Sequence, residues 1–195
     1  MTNPEYVEVK GKKYKINTDF RVAIKCDKVA RDKTISDDER ALAIIYILFG
    51  EEALRDKQNH NELLQLALKY LSCGQEIDTS TDENPDMDYE EDYNYIWTSF
   101  KSDYNGFDLD KEKLHWWKFM DMLNGLSNSE LGNCCVLNRV RQLRNLDLST
   151  IKDTKERDRL AKAKKSVELK KYSKENNLTK EQEESMERLN KLLGL

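Results

Sequence analysis

Residues 88–126, DYEEDYNYIWTSFKSDYNGFDLDKEKLHWWKFMDMLNGL, decide how the chain folds. Tyr89, Tyr93, Ile96, Trp97, Phe100 and Tyr104 recur at three- and four-residue steps and so line one face of a helix. Gly106 ends that face, because glycine takes the left-handed conformation at a helix C-terminus with little strain. A second run carries Leu114, Trp116, Trp117, Phe119, Met120 and Leu123 before Gly125. All three tryptophans of the chain lie in these two runs. An aromatic side chain buries roughly 150–250 Å², so the helix pair is expected to form the core, with Trp97, Phe100, Trp116, Trp117 and Phe119 in it. An aromatic ligand box would use the same spacing, but a packed core is the simpler reading.

Upstream of this pair the chain reads as a hairpin followed by short helices. Tyr6 to Val9 and Tyr14 to Ile16 alternate apolar and polar residues on either side of Lys10-Gly11-Lys12, the pattern of a short β-hairpin. An isolated hairpin is marginal in water, so it must pack on the helices or pair with another chain. Thr18 and Asp19 are placed to cap a helix through Phe20, Ala23, Ile24 and Ala30. Ser36 and Glu39 form a capping box before the run ALAIIYILFG, Ala41 to Gly50. That run is apolar nearly all round and is expected to be fully buried. A third helix covers Leu63, Leu64, Ala67, Leu68 and Leu71 and stops at Gly74. Short helices with short connections suggest an antiparallel bundle.

Residues 75–88, QEIDTSTDENPDMD, hold acids, turn formers and Pro85 with little to bury, and read as a solvated acidic loop. Their carboxylates lack the glycine and terminal glutamate of a calcium loop, so no metal is assigned. Downstream of the aromatic pair, Ser127 and Glu130 repeat the capping-box spacing before Leu131, Cys135, Val136, Val140 and Leu143, a segment from which Arg139, Arg141 and Arg144 project. Ser149 is a cap candidate for a charged helix poor in apolar residues, whose interleaved acids and bases suit an exposed helix. Thr179 and Gln182 open a last amphipathic run with Met186, Leu189, Leu192 and Leu193. This tail has too little apolar surface to fold alone and calls for a partner.

The fold class that follows is mainly α: a helical bundle with a short N-terminal β-hairpin and extended C-terminal helices. Three regions are expected: the hairpin at 1–17, a helical core at 18–145 containing the acidic loop 75–88, and a charged helical extension at 146–195. Two prolines and seven glycines in 195 residues leave few enforced breaks, in keeping with helices. A net charge of −4 gives no global attraction to nucleic acid or to an anionic membrane. No apolar run reaches the roughly 18 residues that cross a bilayer, and the N-terminus lacks a signal-peptide core. The protein is therefore expected to remain in the cytoplasm where it is made. Cys26, Cys73, Cys134 and Cys135 have no secreted-type spacing and are expected as reduced, mostly buried thiols.

No catalytic residue, cofactor or metal site is assigned. His60 and His115 belong to no zinc or metalloprotease motif, and no phosphate loop, dinucleotide fingerprint or nucleophile elbow occurs. An enzyme is not expected. The basic run from Arg139 to Lys174 is the best case for nucleic-acid binding, yet acids interleave its middle and the aromatics sit at core spacing. A solvated helix face accounts for it better.

Four blocks carry a resemblance: INTDFRVAIK at Ile16 to Lys25, SDDERALAIIYILFG at Ser36 to Gly50, residues 88–109, and LHWWKFMDMLNGL at Leu114 to Leu126. Together they resemble a protein family of long-tailed phages and prophages of Gram-positive bacteria, named after gene product fifteen of such a phage. The resemblance spans residues 5 to 172, with the last helix beyond it. It implies a role in tail morphogenesis, at the gene position of tail assembly chaperones between the tail-tube and tape-measure genes. Such proteins coat the tape-measure protein, help recruit tail-tube protein, and leave before the virion is finished. The implied site of action is the host bacterial cytoplasm, and the implied partners are the tape-measure protein, the tail-tube protein and further copies of the chain. Arg139, Arg141, Arg144, Met186, Leu189 and Leu192 are the expected partner-binding residues. The alternatives are a structural head–tail or tail-completion component of the virion, and a DNA-binding accessory protein.

Overall fold

The computed structural model of the chain describes residues 3–75, 85–128 and 134–172. It is mainly helical, with a two-stranded antiparallel hairpin at the N-terminus, as the sequence predicts. Internal contacts divide the chain into two units, Met1–Thr81 with Trp97–Cys135, and Asp82–Ile96 with Val136–Leu195.

The first unit opens with β1 (Tyr6–Val9) and β2 (Lys12–Lys15), registered Val9 to Lys12 and Tyr6 to Lys15. The two linking residues, Lys10 and Gly11, have φ of 49° and 81°, both on the positive side that a two-residue hairpin turn requires. Helices α1 (Phe20–Arg31), α2 (Asp37–Phe49), α3 (Glu51–Arg55) and α4 (His60–Leu71) follow. The short α3 and the 3-10 turn Lys57–Asn59 behind it carry no distinct sequence pattern and are additions to the expected order. The hairpin packs on its own helices: β1 lies on α4. The Tyr14 hydroxyl donates to Asp56 at 2.5 Å, and Lys12 Nζ lies 3.1 Å from Glu52 and 3.4 Å from Asp56. Burial, then the Asp56 carboxylate, push the Tyr14 phenol above its ordinary range, and that hydrogen bond holds Asp56 low.

Helix starts follow the sequence closely. Asp19 accepts the Arg21 N–H at 2.9 Å and caps α1. Ser36 and Glu39 exchange the reciprocal bonds of a capping box at the start of α2. Gly74, at φ 78°, closes the turn after α4 by donating to the Lys69 carbonyl. The unit is completed by the part of α5 (Tyr93–Asp103) from Trp97 onward and by α6 (Trp116–Asn124). Here His115 is the N-cap, its Nδ1 accepting the Trp117 N–H at 3.1 Å. The ring proton then sits on Nε2, which donates to the Pro4 carbonyl at 3.1 Å. Asp19 and His115, the two caps, also pair as an antiparallel bridge, through Phe20 N–H to Leu114 and Trp116 N–H to Thr18.

Phe119 is the centre of the core. Phe20 stacks on it at 4.6 Å, Phe100 at 5.4 Å and Trp116 at 5.6 Å between ring centroids. All four rings are buried. Trp97 and Trp117, expected alongside them, are half-buried instead. All three indole N–H groups find acceptors, Trp116 inside the core at the Leu71 carbonyl (2.9 Å) and the other two at its edge. Trp97 donates to Asp108 at 3.1 Å and Trp117 to the Tyr70 carbonyl at 2.9 Å. Gly125 serves close approach: a Cβ there would lie 3.0 Å from the Tyr104 hydroxyl, which donates to the Met122 carbonyl at 2.7 Å.

The second unit contains the acidic turn before α5 and its first residues, then α7 (Val136–Asn145) and α8 (Thr154–Ser166), which pack together. Asp153, not Ser149, caps α8 by accepting the Glu156 N–H at 2.7 Å. Ser149 lies in the 3-10 turn Leu148–Thr150 that Asp147 caps. Helix α8 has no buried residue, the exposed helix its charge pattern predicts.

Candidate functional site

The first unit carries an unexpected surface on α2. Ile44, Ile45, Leu48 and Phe49 are buried, but Leu42 is 38% exposed and Tyr46 53% exposed. The expectation that this helix is wholly buried is therefore corrected. Neighbouring helices α1, α3 and α4 cover only part of its circumference. Leu42 and Tyr46 are four residues apart and stand on one line of the helix, with Asp38 one turn earlier. At the C-terminal end of that line opens a groove of about 960 Å³, lined by Tyr46, Gly50 and Glu51 of this region, by Lys15 to Asp19, and by Lys113 to His115. An apolar stripe running into a groove of mixed polar and apolar lining can hold a helical or extended segment of protein.

The second unit is built around Arg144. Its guanidinium forks onto Asp92, Nη1 to Oδ2 at 2.6 Å and Nη2 to Oδ1 at 2.7 Å. Nη1 also donates to the Asp86 carbonyl at 2.8 Å and Nε to the Val167 carbonyl at 2.6 Å. The side chains are 10% and 1% exposed. Arg141 Nε reaches Asp86 at 3.0 Å, and Asn145 reaches the same carboxylate at 3.3 Å. Glu91 accepts the backbone N–H groups of Lys170 and Lys171, both at 2.8 Å, and so caps the 3-10 turn Lys170–Tyr172. Lys171 Nζ lies 3.2 Å from Asp88 and 2.9 Å from Glu90. Burial opposes the charge on Asp88, but the N–H groups of Glu91 and Glu90 and the Lys171 ammonium outweigh it and hold the carboxyl low. Burial likewise opposes the Lys171 charge, and Glu90 and Asp88 raise it nonetheless.

The residues expected to bind partners thus have different positions. Arg144 is turned inward and spends four N–H bonds inside its own unit, so it is removed from the binding surface. Arg141 is half-buried against Asp86, and Arg139 is exposed. Met186, Leu189 and Leu192 lie outside the described residues, as do Glu130, Leu131 and the centre of the acidic loop. The basic run is also less available than its composition suggests, since Lys164 donates to the Leu146 carbonyl at 2.7 Å and Lys171 is tied to the acidic turn.

Among the described residues, no group of histidine, cysteine, aspartate and glutamate is arranged to hold a metal ion, and no helix is long and apolar enough to cross a membrane. Burial pushes the Cys26 thiol up to about 12 and the Cys73 thiol to about 11, which leaves little thiolate at neutral pH. Burial also raises the Tyr70 phenol, whose enclosed hydroxyl has no hydrogen-bond partner among the described residues. His60 fixes the start of α4 by contact of Nε2 with the Leu54 carbonyl at 2.9 Å.

Neither a curated protein nor a solved structure matches the chain. The family model described as bacteriophage Gp15 protein matches residues 2–169, which covers both units apart from the C-terminal end, and the chain belongs to that family.

Proposed function

We propose that this protein is a phage tail assembly chaperone that binds the tape-measure protein and helps recruit tail-tube subunits around it. It acts by binding and not by catalysis, self-associates, works in the host bacterial cytoplasm and leaves before the virion is complete. Membership of the bacteriophage Gp15 family is the observation that carries the reading, since it supports a phage structural or morphogenetic role in general. The finer role rests on the gene position that the family resemblance implies. The helical build suits it, because a helical client is held by amphipathic faces and grooves. In this reading the segment after Tyr172, with Met186, Leu189 and Leu192, engages partners together with exposed Arg139 and the side of helix α8 that faces away from α7.

Co-expression with the tape-measure protein, followed by affinity capture, tests the proposal. Co-elution and a soluble tape-measure protein are expected. A tape-measure protein that stays insoluble, with no complex formed, would count against it. A truncation that probes partner exchange has to start at residue 173, because residues 146–172 supply the Val167 carbonyl to Arg144 and the Lys170 and Lys171 N–H groups to Glu91. The second reading, a retained head–tail or tail-completion component, predicts the protein in mass spectra of purified particles, where a chaperone is missing. DNA binding is the weakest alternative, given the internal ties of Arg144, Lys164 and Lys171.

A further inference from the structure

The uncovered stripe of α2 is charged in opposite senses at its two ends. Asp38 stands at the N-terminal end, one helical turn before Leu42, and Tyr46 leads into the groove where Lys15 and Lys113 lie beside Asp19 and Glu51, two acids already paired with Arg21 and Arg55 of their own helices. Asp38, Lys15 and Lys113 are all exposed, and none has an ion-pair partner among the described residues. Counting the charges that have no ion-pair partner among the described residues, the order along the line is acid, leucine, tyrosine, bases. A copy of that line turned end for end meets the original with Asp38 beside Lys15 and Lys113, and Leu42 beside Tyr46. The surface is therefore complementary to itself under a two-fold axis, the condition for an isologous contact. Antiparallel packing of the two helices also opposes their dipoles favourably.

We propose that α2 is a homodimer interface, in which Leu42 and Tyr46 of one protomer pack against Tyr46 and Leu42 of the other and Asp38 pairs with the Lys15–Lys113 end of the groove. The inference deepens the self-association part of the proposed function and is independent of tape-measure binding, so either can fail alone. A helix of 13 residues is about 20 Å long. Its stripe covers less than the roughly 800 Å² per partner of a standard interface, which makes a monomer–dimer equilibrium the expected state.

Sedimentation equilibrium of the whole chain over a wide concentration range reads the association directly. The mass should rise from 23.0 kDa toward twice that value. Tyr46→Glu should weaken dimerisation about tenfold or more, because it places a charge at the centre of the apolar contact. Charge reversal gives the sharper reading. Asp38→Lys alone and the pair Lys15→Glu with Lys113→Glu should each reduce self-association, since both repeats of the ionic contact become repulsive. Mixing those two variants should yield a heterodimer, and combining all three changes in one chain should restore the homodimer. All these positions are exposed, and circular dichroism checks that the fold is kept. A chain that stays monomeric at every concentration overturns the proposal. So does a dimer that these substitutions leave intact, a mixture in which complementary charges restore nothing, or a monomer that uses Tyr46 for a different protein.

Discussion

The first unit is centred on Phe119, with Phe20, Phe100 and Trp116 stacked around it, whereas the second is centred on Arg144, with Asp92 and two backbone carbonyls around its guanidinium. Stacked rings leave water with a gain proportional to their area and need no exact partner. A buried guanidinium and carboxylate lose hydration first and recover it only if the fork and the remaining hydrogen bonds are complete. The contrast helps explain why the second unit tolerates a helix with no buried residue: directional bonds to residues 86–92 add to the smaller apolar area of Ile96, Leu137, Val140 and Leu169. It also means that pH acts unequally on one chain, because carboxylates such as Asp88 titrate and stacked rings do not, while the buried Arg144–Asp92 pair is largely sheltered from salt.

The comparison can be broken most severely at its two centres. Phe119→Ala removes the ring that three others touch and should cost about 3–5 kcal/mol in urea denaturation. Arg144→Met should cost about 3 kcal/mol, because Asp92 is left buried without its partner. Replacing Asp92 as well, with leucine, should recover part of that loss, whereas no second substitution beside Phe119→Ala replaces lost area so simply. A loss in Arg144→Met that Asp92→Leu does not reduce would remove the ion pair from its central place.

Acid sharpens the difference. The folded Asp88 carboxyl is held below its unfolded value of about 3.9, so its stabilisation is whole above that pH and is lost as pH falls through the folded value. Lys171 is shifted upward, so its contribution is whole below about 10.4 and is lost as pH rises through its folded value. The second unit should be steadiest between these limits. Asp88→Asn should remove much of the acid response, measured by near-ultraviolet circular dichroism against pH. The smallest effect is expected at Gly125→Ala, about 1 kcal/mol of destabilisation, because the added methyl meets the Tyr104 hydroxyl and the Asp121 carbonyl at 3.0 and 3.2 Å. An unchanged midpoint would show that Tyr104 moves aside freely.

Local chemistry was legible in the residues themselves. Asp19, the Ser36–Glu39 box and Gly74 lie where their helices begin or end, since caps act within one turn of the chain. The aromatic periodicity located Phe100, Trp116 and Phe119 in the core. Periodicity could not separate these from Trp97 and Trp117, because a half-buried indole and a buried one share the same spacing. The exposed line on α2 was hidden for a related reason: a helix apolar nearly all round does not reveal which side its neighbours leave uncovered. In the sequence Arg144 has the pattern of a surface cation, because its partner Asp92 is 52 residues away and no local pattern announces a pair at that distance. A further sign was available in the acidic residues 86–92 and the arginines of α7, whose opposite charges could have been matched.

Amide hydrogen exchange on the whole chain, followed segment by segment at neutral pH and again at about pH 2, tests most directly whether two kinds of interaction hold this molecule. After correction for intrinsic rates, α1, α2, α4 and α6 should keep their protection in acid, while residues 88–92, α7 and 170–172 should lose theirs. Equal loss in both units, or full retention in the second, would contradict the account.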